Sequence, residues 1–167
     1  MQRALFIGRF QPFHNAHLVD VKKILKECDE IIIAIGSSQE KNTLENPFSY
    51  KERKEMIANV LKNHKIKKYK IYPVPDLYND KKWAGRIKKD LPSYEIVYSG
   101  NPWTLACFKK HDSKVKKIKL TKGISSTIIR NMMVKDKNWH RLVPKEIAEY
   151  IKKINGVERI NKIYFKK

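Results

Sequence analysis

Arginine and histidine carry the first chemical signal in this chain. Arg9, His14 and His17 lie close together in the segment Gly8-Arg9-Phe10-Gln11-Pro12-Phe13-His14-Asn15-Ala16-His17. From about Asn15 the pattern turns helical, with Leu18, Val21, Ile24 and Leu25 recurring at spacings of three and four. Imidazoles at i and i+3 on a first helical turn project to the same side. A helix start also presents backbone N–H groups and the positive end of the helix dipole, which favour an anion. Phosphate is the anion this set suits. Two other readings stand beside it. The pair could cap the helix or pack in the core, or it could ligate a metal, although no third histidine or cysteine stands close by in sequence.

A second anion signal lies far along the chain, at Gly123-Ile124-Ser125-Ser126-Thr127-Ile128-Ile129-Arg130. Three hydroxyls at a helix start offer donors to a phosphate, and Arg130 one turn on could reach the same anion with its guanidinium fork. The plainer reading is an N-cap followed by a surface arginine.

These residues need a scaffold, and the hydrophobic pattern supplies one. Ala4–Ile7 is an apolar run of strand length, ended before Pro12, and Gly8 is expected to make the turn. Ile31–Ile35 is a continuous β-branched run, as in a central strand covered on both faces. Further strands are expected at 69–74, 95–98 and, with alternating lysines, at the edge strand 114–120. Helices are expected between them, one opened by the capping box Ser49-Tyr50-Lys51-Glu52. The last runs from Pro144 and stops at Gly156. Alternating helix and strand predicts an α/β fold, an open parallel sheet of about five strands with helices on both faces and helices at the C-terminal end. The turns Gly36-Ser37-Ser38-Gln39 and Ser99-Gly100-Asn101-Pro102 fall at carboxyl ends of strands, where open α/β sheets bind ligands.

Length and composition set bounds. The 167 residues predict a single domain, 1–167, with a helical part from about 124. The net charge of +20 points to anionic partners, but the lysines are scattered in pairs such as Lys67-Lys68 and Lys152-Lys153, which suits a solvated exterior. Cys28 and Cys107 form no disulfide framework and no metal spacing. The longest apolar run is too short to span a bilayer and no leader is evident, so a cytoplasmic protein without membrane contact is expected. His64, His111 and His140 have lysine-rich surroundings and are expected at the surface.

Four motifs in order resemble one known family. GRFQPFHNAH is similar to the GRFQPFHxGH signature of the archaeal-type nicotinamide mononucleotide adenylyltransferases, members of the Rossmann-like nucleotidylyltransferase superfamily, with Ala16 in place of the motif glycine. Ser37 with Asn46-Pro47-Phe48 and Glu52-Arg53, then Tyr98-Ser99-Gly100-Asn101-Pro102, then Ile124–Arg130, resemble its further segments. The resemblance implies transfer of AMP from ATP to nicotinamide mononucleotide, with NAD and pyrophosphate as products. It implies an ATP site from Gly8, Arg9, Phe10, His14, His17, Ser99, Gly100, Asn101, Ser125, Ser126, Thr127 and Arg130. His17, His14 and Arg130 would act on the phosphates, and Mg2+ would arrive with ATP rather than on protein side chains. The mononucleotide would meet Ser37, Phe48, Asp76, Asp80 and Trp83, with the tryptophan stacked on the nicotinamide ring. Asp80 stands where the family usually has asparagine. Family members are often homo-oligomers, commonly hexamers. The alternatives are transfer to another phosphate such as phosphopantetheine, or a basic RNA-binding protein on this fold. The chain carries no RNA-recognition signature.

Overall fold

The computed structural model describes residues 1–77, 79–111 and 113–166, apart from the side chains of Asp80 and Lys81. Among these residues the chain forms five strands and seven helices, alternating from β1 (Arg3–Gly8) to the last strand and then helical only, up to α7 (Gly156–Phe165). They divide into two compact units.

The first unit comprises Met1–Gly8, Asp20–Ser38 and Lys68–Leu120. It holds the whole sheet: β1, β2 (Glu30–Ile35), β3 (Tyr69–Pro73), β4 (Ile96–Ser99) and β5 (Lys114–Lys117). Spatial order is β3-β2-β1-β4-β5, and every pairing is parallel. Parallel neighbours need crossovers, which is why apolar strand runs alternate with helical stripes in the sequence. The register places Phe6 between Ile33 and Tyr98. Leu5, Ile7, Ile32, Ala34 and Val97 form one core with Trp83, Ala84 and Ile87 of α3 (Asp80–Asp90) and Cys107 and Phe108 of α4 (Pro102–Lys109). Tyr98 is next to Val97 and so points to the opposite face. Its hydroxyl donates to Glu27 at the end of α1 (Asn15–Glu27), 2.9 Å away, so helices cover both faces. Both cysteines are buried free thiols.

The second unit comprises Arg9–Val19, Gln39–Lys67 and Thr121–Lys167. Its helices are α2 (Tyr50–Asn63), α5 (Ser126–Val134), α6 (Lys145–Lys153) and α7, with a short 3-10 turn at Trp139–Leu142. The expected capping box forms: the Ser49 hydroxyl accepts from the Glu52 N–H, and Glu52 accepts from the Ser49 N–H. Glu52 also takes a two-pronged ion pair from Arg159 of α7, at 2.8 and 2.9 Å, which ties the two helices together.

Several expectations are corrected. Gly8 is the last residue of β1, paired with Ile35, and the left-handed backbone falls on Phe10, at φ 52°. Gly156 does not stop α6. Asn155 breaks the helix in the left-handed region, and Gly156 opens α7. A Cβ at Gly156 would come within 2.9 Å of both Ile151 and Phe48, so close packing requires its missing side chain. His111 is half-buried against Gly85 rather than at the surface. The tail beyond Asn161 is helical up to Phe165. No helix of the described residues is long and apolar enough to cross a membrane.

Candidate active site

The loop after β1 enters the second unit and begins α1 with two stacked imidazoles. The His14 and His17 rings lie 3.5 Å apart, 14° from parallel. The His17 N–H donates to His14 Nδ1 at 3.4 Å, and the His14 N–H donates to His17 Nδ1 at 3.2 Å. This is the reciprocal pattern of a capping box, with imidazoles in place of serine and glutamate. Capping uses Nδ1 of each ring, which is compatible with an anion at the other ring nitrogen. Each Nδ1 is an acceptor, so a neutral ring carries its proton on Nε2, the position that can donate to a ligand.

Electrostatics agree with neutral rings. Burial lowers the His14 pKa from 6.5 to about 4. His17 is pushed well below its ordinary value, first by burial and then by His14. Its ring is enclosed by the edge of Phe10 at 4.9 Å and by Phe13 at 5.3 Å. Above pH 6.5 both folded and unfolded chains hold these rings neutral. Below it the unfolded chain takes up protons that the folded one refuses, so stability falls as pH drops from 6.5 towards 4. A shift of this size on His14 is worth about 3 kcal/mol. Urea denaturation at pH 7 and pH 4.5 measures the loss. His14→Asn, which keeps a capping acceptor and cannot titrate there, shrinks it.

The start of α5 is anchored to the same loop. The Ser126 hydroxyl donates to the Pro12 carbonyl at 2.9 Å, and Arg130 Nη1 donates to the Gln11 carbonyl at 2.8 Å. The Ser125 hydroxyl accepts from the Ile128 N–H as the N-cap, and Arg130 Nη2 reaches the Thr127 hydroxyl at 3.4 Å. The hydroxyls expected to meet phosphate thus first hold the loop and the helix. Arg130 is buried, while Arg9 is exposed. Burial lowers the Arg130 pKa, the nearby Arg9 charge lowers it further, and Glu45 offsets part of this. The Arg130 charge is thus raised in energy by a second guanidinium, an arrangement in which a nearby anion would be favourable.

Two buried polar residues without an assigned role in the sequence complete this loop. Gln11 is 1% exposed, and its amide makes a two-point bond with the Phe48 backbone, donating to the carbonyl at 2.8 Å and accepting from the N–H at 3.0 Å. Arg53 is fully buried, with Nη1 donating to the Arg9 carbonyl at 2.7 Å. A signal for Arg53 was present: it takes the first place in the apolar stripe Arg53, Met56, Ile57, Val60, Leu61. Phe10, between these bonded carbonyls, holds a left-handed conformation that costs about 1–2 kcal/mol in a residue with a Cβ. Phe48 itself is fully buried, so its contribution runs through the backbone that Gln11 grips.

The first unit carries the other expected residues. Asn101 caps α4, accepting from the Trp103 N–H at 2.9 Å, and its own N–H donates to the Ser99 hydroxyl. A Cβ at Gly100 would lie 2.9 Å from the tip of the exposed Leu120 side chain, which has room to swing aside. Ser37 is buried and left-handed, at φ 46°. Asp76 is half-buried in the loop after β3. The Asp80 side chain lies outside the described residues. Trp83 is more deeply placed than its lysine neighbours suggested: it is buried, 5.1 Å from Trp103 and edge-on to Phe108 at 5.7 Å. Its indole N–H is buried with no hydrogen-bond partner among the described residues. An orphaned buried donor of this kind costs about 1–3 kcal/mol until something accepts from it.

A model of cytidylyltransferase-like proteins matches residues 5–132. The chain belongs to the cytidylyltransferase-like family. Several archaeal relatives share one name. It is 40% identical over 165 residues to the nicotinamide-nucleotide adenylyltransferase of Pyrococcus furiosus, covering 96% of this chain and 88% of that one. The enzyme of the same name from Pyrobaculum aerophilum is 42% identical, covering 96% and 93%. That of Methanococcus maripaludis is 40% identical, covering 96% and 95%. Among solved structures, a bifunctional NMN adenylyltransferase/ADP ribose pyrophosphatase from Francisella tularensis, complexed with AMP and a manganese ion, superposes with a TM-score of 0.79. It is 23% identical and the match covers 96% of this chain and 52% of that one, so the likeness is one of fold. This family's Rossmann-like α/β fold is the fold expected from the sequence.

Proposed function

We propose that the protein is a nicotinamide-nucleotide adenylyltransferase, which transfers AMP from ATP to nicotinamide mononucleotide and releases pyrophosphate. Near-full-length identity of about 40% to enzymes of that name carries the reading. The basic cluster in the second unit supports it. An oxygen of the mononucleotide phosphate attacks the α-phosphorus of ATP in line, a new P–O bond forms, and the bond to the bridging β-oxygen breaks. The attacking phosphate is already an anion, so no general base is required. Positioning and stabilisation of charge on the phosphates remain as the sources of rate.

In this reading His17 and His14 donate through Nε2 to the ATP phosphates, with His17 nearer the reacting phosphorus. Arg9 and Arg130 hold the outer phosphates. Gly8 and Phe10 shape the loop, and Ser125, Ser126 and Thr127 support it. Ser99, Gly100 and Asn101 are taken as further ATP-binding residues. Ser37, Asp76, Asp80 and Trp83 serve the mononucleotide, and the orphaned indole N–H of Trp83 suits an acceptor oxygen. No group of three or more His, Cys, Asp or Glu that could hold a metal occurs among the described residues. A divalent cation, taken as Mg2+, would enter with ATP and would neutralise phosphate charge there. The chain acts as one nucleotidyltransferase domain, in the cytoplasm and as a homo-oligomer.

Pyrophosphate release from ATP tests the activity against a panel of nicotinamide mononucleotide, nicotinic acid mononucleotide and phosphopantetheine. Preference for a pyridine mononucleotide is expected. Equal rates with phosphopantetheine, or tight RNA binding without ATP binding, overturn the reading.

A further inference from the structure

A fully buried arginine is expensive to desolvate and is retained only where its donors are used. Arg53 spends them on backbone. Nη1 donates to the Arg9 carbonyl at 2.7 Å and Nε lies 3.3 Å from the Ser49 carbonyl, within its own helix. Its helix is fixed at this end by the Ser49–Glu52 capping box and by Arg159, which also donates to the Pro47 carbonyl at 3.2 Å. Arg130 holds the Gln11 carbonyl in the same way from α5. The left-handed Phe10 thus sits between two carbonyls, each clamped by a buried guanidinium from a different helix. A strained residue persists only where its surroundings over-determine it, and such residues concentrate at functional sites. The side chain that this clamp aims is that of Arg9, the exposed cation of the cluster.

We infer that Arg53 is a positioning residue for ATP: through the Arg9 carbonyl it sets the Arg9–Phe10–Gln11 turn and so places the Arg9 guanidinium on the phosphates. This rests on the reading of Arg9 as a phosphate ligand. Arg53 itself touches no substrate. Its effect is therefore expected on ATP and not on the acceptor, and only while Arg9 is present.

A double-mutant cycle on the full chain tests this, using Arg9→Ala, Arg53→Met and both together, with KM for each substrate and amide exchange at Phe10, Gln11 and Phe13. Arg53→Met raises the ATP KM roughly ten- to hundredfold, as small misplacements do. The acceptor KM stays within about twofold, and adding Arg9→Ala makes the ATP KM no worse than the poorer single variant. The three amides exchange faster while those of Ile31–Ile35 do not. Arg53→Lys, which keeps one donor for the Arg9 carbonyl, recovers part of the loss and carries the same comparison if the Met variant fails to fold. Additive effects, equal rises in both KM values, or unchanged exchange in the loop overturn the inference. If Arg9→Ala leaves the ATP KM unchanged, the phosphate reading fails. The loop exchange then decides alone: faster exchange in the Arg53 variant keeps its positioning role, and unchanged exchange ends it.

Discussion

His17→Ala lowers turnover roughly a hundred- to thousandfold, the usual cost of removing one preorganised donor to a transition-state anion. The expectation follows from the geometry of the pair. Nδ1 of His17 is engaged by the His14 N–H, so the ring can give only Nε2–H to a ligand. Burial and the adjacent His14 keep it neutral, which makes it a donor and a poor general base at neutral pH. Alanine also removes the acceptor that caps the helix, worth about 1 kcal/mol. The two losses separate in His17→Gln. Glutamine is a natural partner at the third position of a capping box. The melting temperature of that variant recovers while its turnover does not. A loss below about tenfold in His17→Ala, measured as kcat at saturating ATP, removes His17 from the chemistry.

Arg130→Lys is the second large effect, although it conserves charge. Arg130 holds the Gln11 carbonyl at 2.8 Å, is buried, and carries a charge that the Arg9 guanidinium influences; in the proposed reading the same fork also meets a phosphate. An ammonium is a point donor and cannot serve a fixed carbonyl and a phosphate in the same plane. The expected outcome is a fall in kcat/KM for ATP of roughly a hundredfold or more. The mononucleotide KM should move little. Bound tripolyphosphate should protect the native protein from thermal unfolding and protect this variant much less. Equal protection of both would place the anion elsewhere.

Much of the scaffold was legible because its signals are local. The β-branched run at Ile31–Ile35 can only be buried, and it became the strand between β1 and β3. The Ser49–Glu52 capping box formed as its residue types required. Alternating helix and strand implied parallel pairing, since parallel neighbours need a crossover. The histidine spacing likewise put both rings on one side of a helix start. Errors came where one residue's conformation depends on distant neighbours. Gly8 looked like the turn residue, but Phe10 is left-handed because its flanking carbonyls are held by Arg53 and Arg130. Gly156 looked like a helix stop, but left-handed Asn155 makes the break and Gly156 opens α7, where Ile151 and Phe48 leave no room for a Cβ. Trp83 looked like a boundary residue beside lysines, but Trp103 and Phe108 enclose it.

Residue types and spacing alone therefore settled the α/β class and singled out the helix start and the side chains proposed as phosphate ligands. These depend on periodicity, backbone dipoles and side-chain chemistry, which act over a few residues. Folding in three dimensions settled how the ligands are held. It made the two histidines cap each other, buried Arg130 against the Gln11 carbonyl and set Arg53 on the Arg9 carbonyl. Those outcomes rest on hydrogen bonds between groups distant in sequence, and no local pattern specifies which carbonyl a buried guanidinium will find.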